Sequence, residues 1–147
     1  MKVWVDALTG KQMRYASALA ERLRAGGHQV VITSRLHPDT LAVATFCGEV
    51  PVVRGEYDAE SLGARVACGA RRKLQLIEFC EQNRPDVAVS HCSPDQTRIA
   101  YEYGVPLICT FDTVYADAAS RLALPLANYA VYSEAISSKV LLGYGFT

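Results

Sequence analysis

Three polar turns hold the residues of this chain that could do chemistry: Asp6-Ala7-Leu8-Thr9-Gly10-Lys11, Ser90-His91-Cys92-Ser93-Pro94-Asp95 and Phe111-Asp112-Thr113. Each follows a short apolar run and precedes a helical pattern. Each therefore sets the free backbone N–H groups of a helix start beside hydroxyls, carboxylates, a lysine or an imidazole. Such groups suit an anionic or hydroxyl-rich ligand. The first turn lacks both phosphate-binding fingerprints, since G-x-G-x-x-G and G-x-x-x-x-G-K-[ST] need more than its single glycine followed by Lys-Gln. A phosphatase-like D-x-D pair is excluded by Leu8. What remains is Thr9, Gly10 and Lys11 as a modest anion site, against the plainer reading of a capped turn with a solvated lysine.

In the second turn, Ser93 stands at a cap position, Pro94 at the first helical position and Gln96 three residues beyond the cap. Ser90, His91, Ser93 and Asp95 then face whatever lies above the strand ends, and Arg98, one turn on, either faces the same cleft or pairs with Asp95. No sequence-adjacent carboxylate is obvious to orient His91, which favours a surface or hydrogen-bonded role over acid–base work. Cys92, at a helix start beside an imidazole, is a candidate thiolate of lowered pKa; an ordinary thiol is the better reading without a positioned base. In the third turn Asp112 or Thr113 is the expected helix cap, and Asp117 could approach Asp112.

These turns need a scaffold, and the apolar patterning supplies one. Lys2 to Val5 reads as a strand, Gln12 to Ala25 as a helix closed by Gly26-Gly27, and His28 to Thr33 as a second strand, together a right-handed βαβ unit. A short helix over Leu36 to Phe46, a strand over Val50 to Val53 and a polar loop through Gly55 and Asp58 follow. Glu60 to Gln82 is the longest helical pattern, weakened by Gly63 and Gly69. Then come the strand Asp86 to Val89, the helix Pro94 to Tyr103, the strand Pro106 to Thr110, a helix near Tyr115 to Ala123 and the strand Tyr129 to Tyr132. A last helical pattern opens at Ser133. Short strands that are apolar throughout, alternating with helices, predict an α/β fold: a doubly wound, mostly parallel six-stranded sheet with ligands at the carboxyl ends of its strands.

The chain of 147 residues carries fifteen basic and fifteen acidic residues, so no charge excess points to nucleic acid or anionic membrane. Arg71-Arg72-Lys73 is the one dense basic cluster and reads as a solvated helix face. The N-terminus turns polar within six residues, which gives neither a signal peptide nor a membrane span and predicts a cytoplasmic protein. Five cysteines without C-x-x-C pairing read as reduced, mainly buried thiols, with no metal site and no cofactor. One Rossmann-like domain over residues 1–147 is the economical assignment.

Several of these segments carry a resemblance. They are Lys2-Val3-Trp4-Val5-Asp6-Ala7-Leu8-Thr9, Gly27-His28-Gln29-Val30-Val31-Ile32-Thr33, Ser93-Pro94-Asp95-Gln96-Thr97-Arg98, and Asp112-Thr113 with Arg121-Leu122-Ala123-Leu124-Pro125-Leu126-Ala127. Through them the chain resembles the N-terminal domain of the archaeal and bacterial proteins of unknown function grouped with GT-B glycosyltransferases and UDP-N-acetylglucosamine 2-epimerases. The match runs nearly end to end. It implies the N-terminal half of a two-domain protein, with a sugar or nucleotide-sugar ligand and a second α/β domain supplied in cis or in trans. Such relatives tend to carry an acidic residue and a His after the Asp-Thr pair, where this chain has Val114-Tyr115, so no catalytic role is carried over. The expected function is therefore a glycosyltransferase-like or epimerase-like domain that binds a sugar- or phosphate-bearing ligand. The rival is a non-catalytic module that docks a second domain or subunit, including another copy of itself. A flavodoxin- or receiver-like domain is disfavoured, since the first strand has one Asp and no acidic pair.

Overall fold

Apolar runs bounded by Pro, Gly and polar turns become the six strands of one sheet in this computed structural model, which describes residues 1–57 and 60–147. They are β1 (Lys2–Ala7), β2 (Gln29–Leu36), β3 (Val52–Glu56), β4 (Val87–Ser90), β5 (Leu107–Phe111) and β6 (Tyr129–Tyr132). The order is β3-β2-β1-β4-β5-β6, and every neighbouring pair is parallel. Helices α1 (Gly10–Ala25), α2 (Pro38–Phe46), α3 (Leu62–Asn83), α4 (Pro94–Glu102), α5 (Asp117–Ala123) and α6 (Ser138–Gly143) supply the crossovers and the end of the chain. The predicted doubly wound sheet is thus observed, parallel throughout. Asp58, in the predicted polar loop, lies outside the described residues.

The alternation of side chains along β1 divides the core. Val3, Val5 and Ala7 pack on one face with Met13, Ala16 and Ala20 of α1 and Ala44 of α2. Trp4 packs on the other face with Leu76, Phe79, Ile99 and Ala100 of α3 and α4. Strand order reverses on either side of β1, between β2 and β4, and the crevice of such a sheet opens there, outside the carboxyl strand ends.

The third strand runs over Val52–Glu56 instead of Val50 to Val53 and takes in Gly55, which was expected in the following loop. Three further expectations change. The helix expected from Tyr115 begins at Asp117, so residues 112–116 form a loop and neither Asp112 nor Thr113 caps a helix. The final helix is confined to Ser138–Gly143. The third change concerns Arg72, which is 2% exposed rather than solvated. Its Nη2 donates to Asp6 Oδ1 at 2.6 Å and its Nε to the Arg54 carbonyl at 3.0 Å.

Asp6 sits on the Trp4 face of β1, under α3. Thr33 Oγ1 also donates to its Oδ1, and Ser93 Oγ donates to its Oδ2, each at 2.6 Å; Trp4 Nε1 donates to Thr33 Oγ1. Gly55 makes room for the arginine: it has φ +79°, and a Cβ there would stand 2.7 Å from Arg72 Cβ and Cγ. A buried ion pair is favourable only when its remaining hydrogen-bonding groups are satisfied, and removing one partner strands the other. Arg72→Leu should therefore cost about 3–5 kcal/mol in urea unfolding, and Asp6→Asn added to it should recover part of that loss. Additive losses in the double variant would contradict a coupled pair.

Candidate functional site

The three polar turns meet at the carboxyl ends of β1, β4 and β5. Thr9 caps α1, its hydroxyl accepting from Gln12 N. This aims the Gln12 side chain across the strand ends, where Oε1 accepts from Leu8 N at 2.7 Å and Nε2 donates to the His91 carbonyl at 3.3 Å. The β1 and β4 turns are thereby tied together. Lys11 Nζ reaches Asp112 Oδ2 at 2.9 Å, His91 Nε2 lies 3.2 Å from Asp112 Oδ1, and His91 Nδ1 lies 2.7 Å from Thr110 Oγ1.

Two adjoining cavities open on this cluster, sharing Lys11, Gln12, His91, Thr110, Phe111 and Asp112. One, of about 120 Å³, is completed by Cys92, Thr113 and Ser120 among others. The second, of about 300 Å³, is walled by Tyr15, Val131 and Tyr132. A larger depression of about 520 Å³ lies beside Arg84, Pro85 and Val105, just before the amino ends of β4 and β5. It brings together no comparable set of chemical groups.

The electrostatics of the cluster follow from its contacts. The hydrogen bond from Lys11 holds the Asp112 carboxyl below its ordinary range, and His91 adds to the effect. Burial pushes the His91 imidazole below its ordinary 6.5; Asp112 opposes this and Lys11 reinforces it. A neutral imidazole facing an ionised carboxylate carries its proton on Nε2, which leaves Nδ1 to accept from the Thr110 hydroxyl. Contact with the Cys109 thiol 3.4 Å away, together with burial, pushes the Cys92 thiol up. Cys92 thus lines the cavity as an ordinary thiol, the better of its two sequence readings.

The sequence-predicted residues divide into two sets. Lys11, His91, Asp112 and Thr113 line the cavities. Gly10 opens α1, and a Cβ there would meet Val43 at 3.2 Å; Thr9 shapes the turn. Ser90 and Ser93 are buried, Ser90 Oγ accepting from Ser93 N and Ser93 Oγ donating to Asp6. Asp95 pairs with Arg72 and Lys73, and Arg98 pairs on the exposed side of α4 with Glu102, not with Asp95. Asp117 pairs with Arg121 instead of approaching Asp112. Sequence reasoning missed Gln12, Thr110, Tyr15 and Tyr132. It also missed the carboxylate for His91, which comes from the loop after the neighbouring strand, 21 residues away. A Gln three residues after a capping Thr was the one signal available for Gln12.

The chain matches the family described as Protein of unknown function (DUF354) over residues 1–146, and it belongs to that family. It is 23% identical over 145 residues to the uncharacterized protein MJ0665 of Methanocaldococcus jannaschii, covering 99% of this chain and 42% of that protein. Among solved structures it is similar to UDP-GlcNAc 2-epimerase from Neisseria meningitidis bound to UDP-GlcNAc, with a TM-score of 0.76, 15% identity, and coverage of 100% of this chain and 44% of that one. MurG of Acinetobacter baumannii gives a TM-score of 0.70 at 14% identity over 90% and 40% of the two chains. The chain thus spans less than half the length of these relatives.

The titration of His91 checks the cluster. Its imidazole should titrate below 6.5 by NMR; Asp112→Asn should lower the midpoint further, because it removes the anion, and Lys11→Met should raise it. A neutral folded-state imidazole stabilises the fold above the unfolded pKa, and that contribution is lost as pH falls from 6.5 toward the depressed value. Insensitivity of the midpoint to both substitutions would contradict the geometry.

Proposed function

We propose that this member of the DUF354 family is a glycosyltransferase-like or epimerase-like domain whose cleft above β1, β4 and β5 holds the sugar of a nucleotide sugar or sugar acceptor. The observation that carries the reading is the Lys11–Asp112–His91 cluster inside a cavity with an aromatic wall. An ionised carboxylate beside an ammonium offers an acceptor and a donor to vicinal hydroxyls, and Tyr15 and Tyr132 offer apolar faces to the ring. Both partners of the Lys11–Asp112 pair are half exposed, and exposed pairs contribute little to stability, about 0–1 kcal/mol. A ligand can therefore displace it cheaply.

His91 is neutral, but both of its nitrogens are already engaged. Its role in this reading is to orient Asp112, and it takes a proton only when a ligand hydroxyl replaces one of its partners. Tyr115, where relatives tend to carry an acidic–His pair, is exposed, and the Val114 carbonyl accepts from the Tyr144 hydroxyl. Acid–base capacity in this cleft thus rests on His91 and Asp112. The greater length of the relatives supports a second α/β domain, in cis or in trans, that closes the cleft and takes the nucleotide.

Titration with N-acetylglucosamine, UDP and UDP-N-acetylglucosamine, followed by amide NMR, tests the proposal. The expected result is shifts at Lys11, Gln12, His91 and Thr113 with the sugar-bearing ligands, and at least ~10-fold weaker binding in Asp112→Ala, the loss of a charged hydrogen bond. Absence of shifts at millimolar sugar and nucleotide sugar would overturn it.

A further inference from the structure

Two of the five free thiols meet beneath the smaller cavity: Cys92 Sγ lies 3.4 Å from Cys109 Sγ. Nothing in the ligand reading uses this pair. Strand pairing alone does not create it. Ser90 stands beside Cys109 in the parallel register of β4 and β5, so an extended chain would carry position 92 two residues farther, level with Phe111. Instead the chain folds back. Cys92 takes φ +48°, a left-handed conformation that a residue with a Cβ adopts at a cost in strain, and Ser93 N donating to Ser90 Oγ closes the turn. The turn sets one sulfur against the other. Both thiols also reach the Thr110 carbonyl, at 3.7 and 4.0 Å.

The two sulfurs differ in access. Cys92 lines the cavity of about 120 Å³, whereas Cys109 is fully buried in β5. A water molecule takes roughly 30 Å³, so the cavity has room for a small oxidant such as hydrogen peroxide, which would meet Cys92 first. Cys109 stands directly behind it, where a resolving thiol belongs. The thiols ionise as a pair. The hydrogen bond from Cys92 eases the first ionisation at Cys109 against burial, while the same contact and burial push Cys92 up. One proton is thus shared between the sulfurs, and when it rests on Cys109 the thiolate faces the cavity. Their neighbours couple the pair to the site. Cys92 follows His91 and Cys109 precedes Thr110, and the side chains of His91 and Thr110 meet at 2.7 Å.

We infer that Cys92 and Cys109 are a redox-active dithiol, which a hydroperoxide entering the cavity converts reversibly to a disulfide across the β4 turn and β5. The sulfurs need only close from 3.4 Å to the roughly 2.0 Å of an S–S bond. The Cys92 thiolate attacks one peroxide oxygen, the O–O bond breaks, and the hydroxide released takes a proton to leave as water, which makes Cys92 a sulfenic acid. Cys109 then attacks the Cys92 sulfur, the S–O bond breaks, and the departing hydroxide takes the Cys109 proton. The sulfurs lose the electron pair that the peroxide gains. The bond withdraws the Cys92 thiol from the cavity wall and draws the turn that carries His91 toward β5. It requires no ligand in the cleft and stands independently of the function proposed above.

Treatment of the reduced chain with hydrogen peroxide, followed by alkylation of the remaining thiols in denaturant and peptide mass mapping, tests the inference. The free thiols should fall by two from five, in a Cys92–Cys109 cross-link within one chain that dithiothreitol reverses, while Cys47, Cys68 and Cys80 are recovered alkylated. In Cys92→Ser the Cys109 thiol should be lost at least ~10-fold more slowly, because the accessible sulfur is gone. The His91 ring signals give a second readout: they should move when the parent is oxidised, return on reduction, and stay in place when Cys92→Ser meets peroxide. The mapping on the parent decides the matter even if the variant folds poorly. Cys92 carried on to a sulfinic acid with Cys109 still free, a cross-link between two chains, or a Cys92 no more readily oxidised than buried Cys80 would overturn the inference.

Discussion

A carboxylate on the central strand of a parallel sheet, cut off from water, must be satisfied by the protein or the strand end cannot close. Asp6 meets this constraint with three donors from three elements: Thr33 on β2, Ser93 in the turn after β4, and Arg72 on α3. The arginine in turn requires a glycine at position 55 of β3, over which its stem lies. One carboxylate thus fixes the relative placement of β1, β2, β3, β4 and α3 at the point where strand order reverses. Ser93 spends its hydroxyl on Asp6 instead of on the helix cap, so α4 starts at Pro94 with no side-chain cap bond. The turn closes through Ser93 N to Ser90 Oγ, with Cys92 at φ +48°, and this turn carries His91 toward the cleft.

The cleft itself is built differently. Its Lys11–Asp112 pair is half exposed and contributes little to folding, while the buried network beneath it is fully committed. Under the proposed reading, a ligand in the cleft would compete with a weak internal contact and leave the network below it in place. The neutral His91 adds no positive charge, so Lys11 is the cavity's cation at neutral pH.

The fold was legible because its signals are local. The βαβ periodicity, the glycine closing α1 and the Ser-Pro start of α4 each specify their own segment, and β6 was found at its full extent, Tyr129–Tyr132. Boundaries failed where tertiary contacts override propensity. The loop over residues 112–116 replaces the first turn expected of α5, whereas α3 runs through Gly63 and Gly69 as its pattern predicted. The site was half legible. Lys11, His91, Asp112 and Thr113 could be named as polar residues after strands, yet their pairing depends on β4 and β5 lying side by side, which spacing alone cannot state. Arg72 was misread for the same reason: a helix-surface pattern does not reveal that a carboxylate waits beneath it. Ser90, Ser93 and Asp95 looked like ligand groups because the sequence does not say which of its polar residues hold the scaffold together.

A crystal structure of this chain soaked with UDP-N-acetylglucosamine tests the account most directly. The account predicts sugar hydroxyls within hydrogen-bonding distance of Asp112 and Lys11, the ring against Tyr15 or Tyr132, and the Asp6–Arg72 network unmoved below. A ligand seated on another face, or one held through Asp95 and Arg98 with the Lys11–Asp112 pair intact, would contradict it.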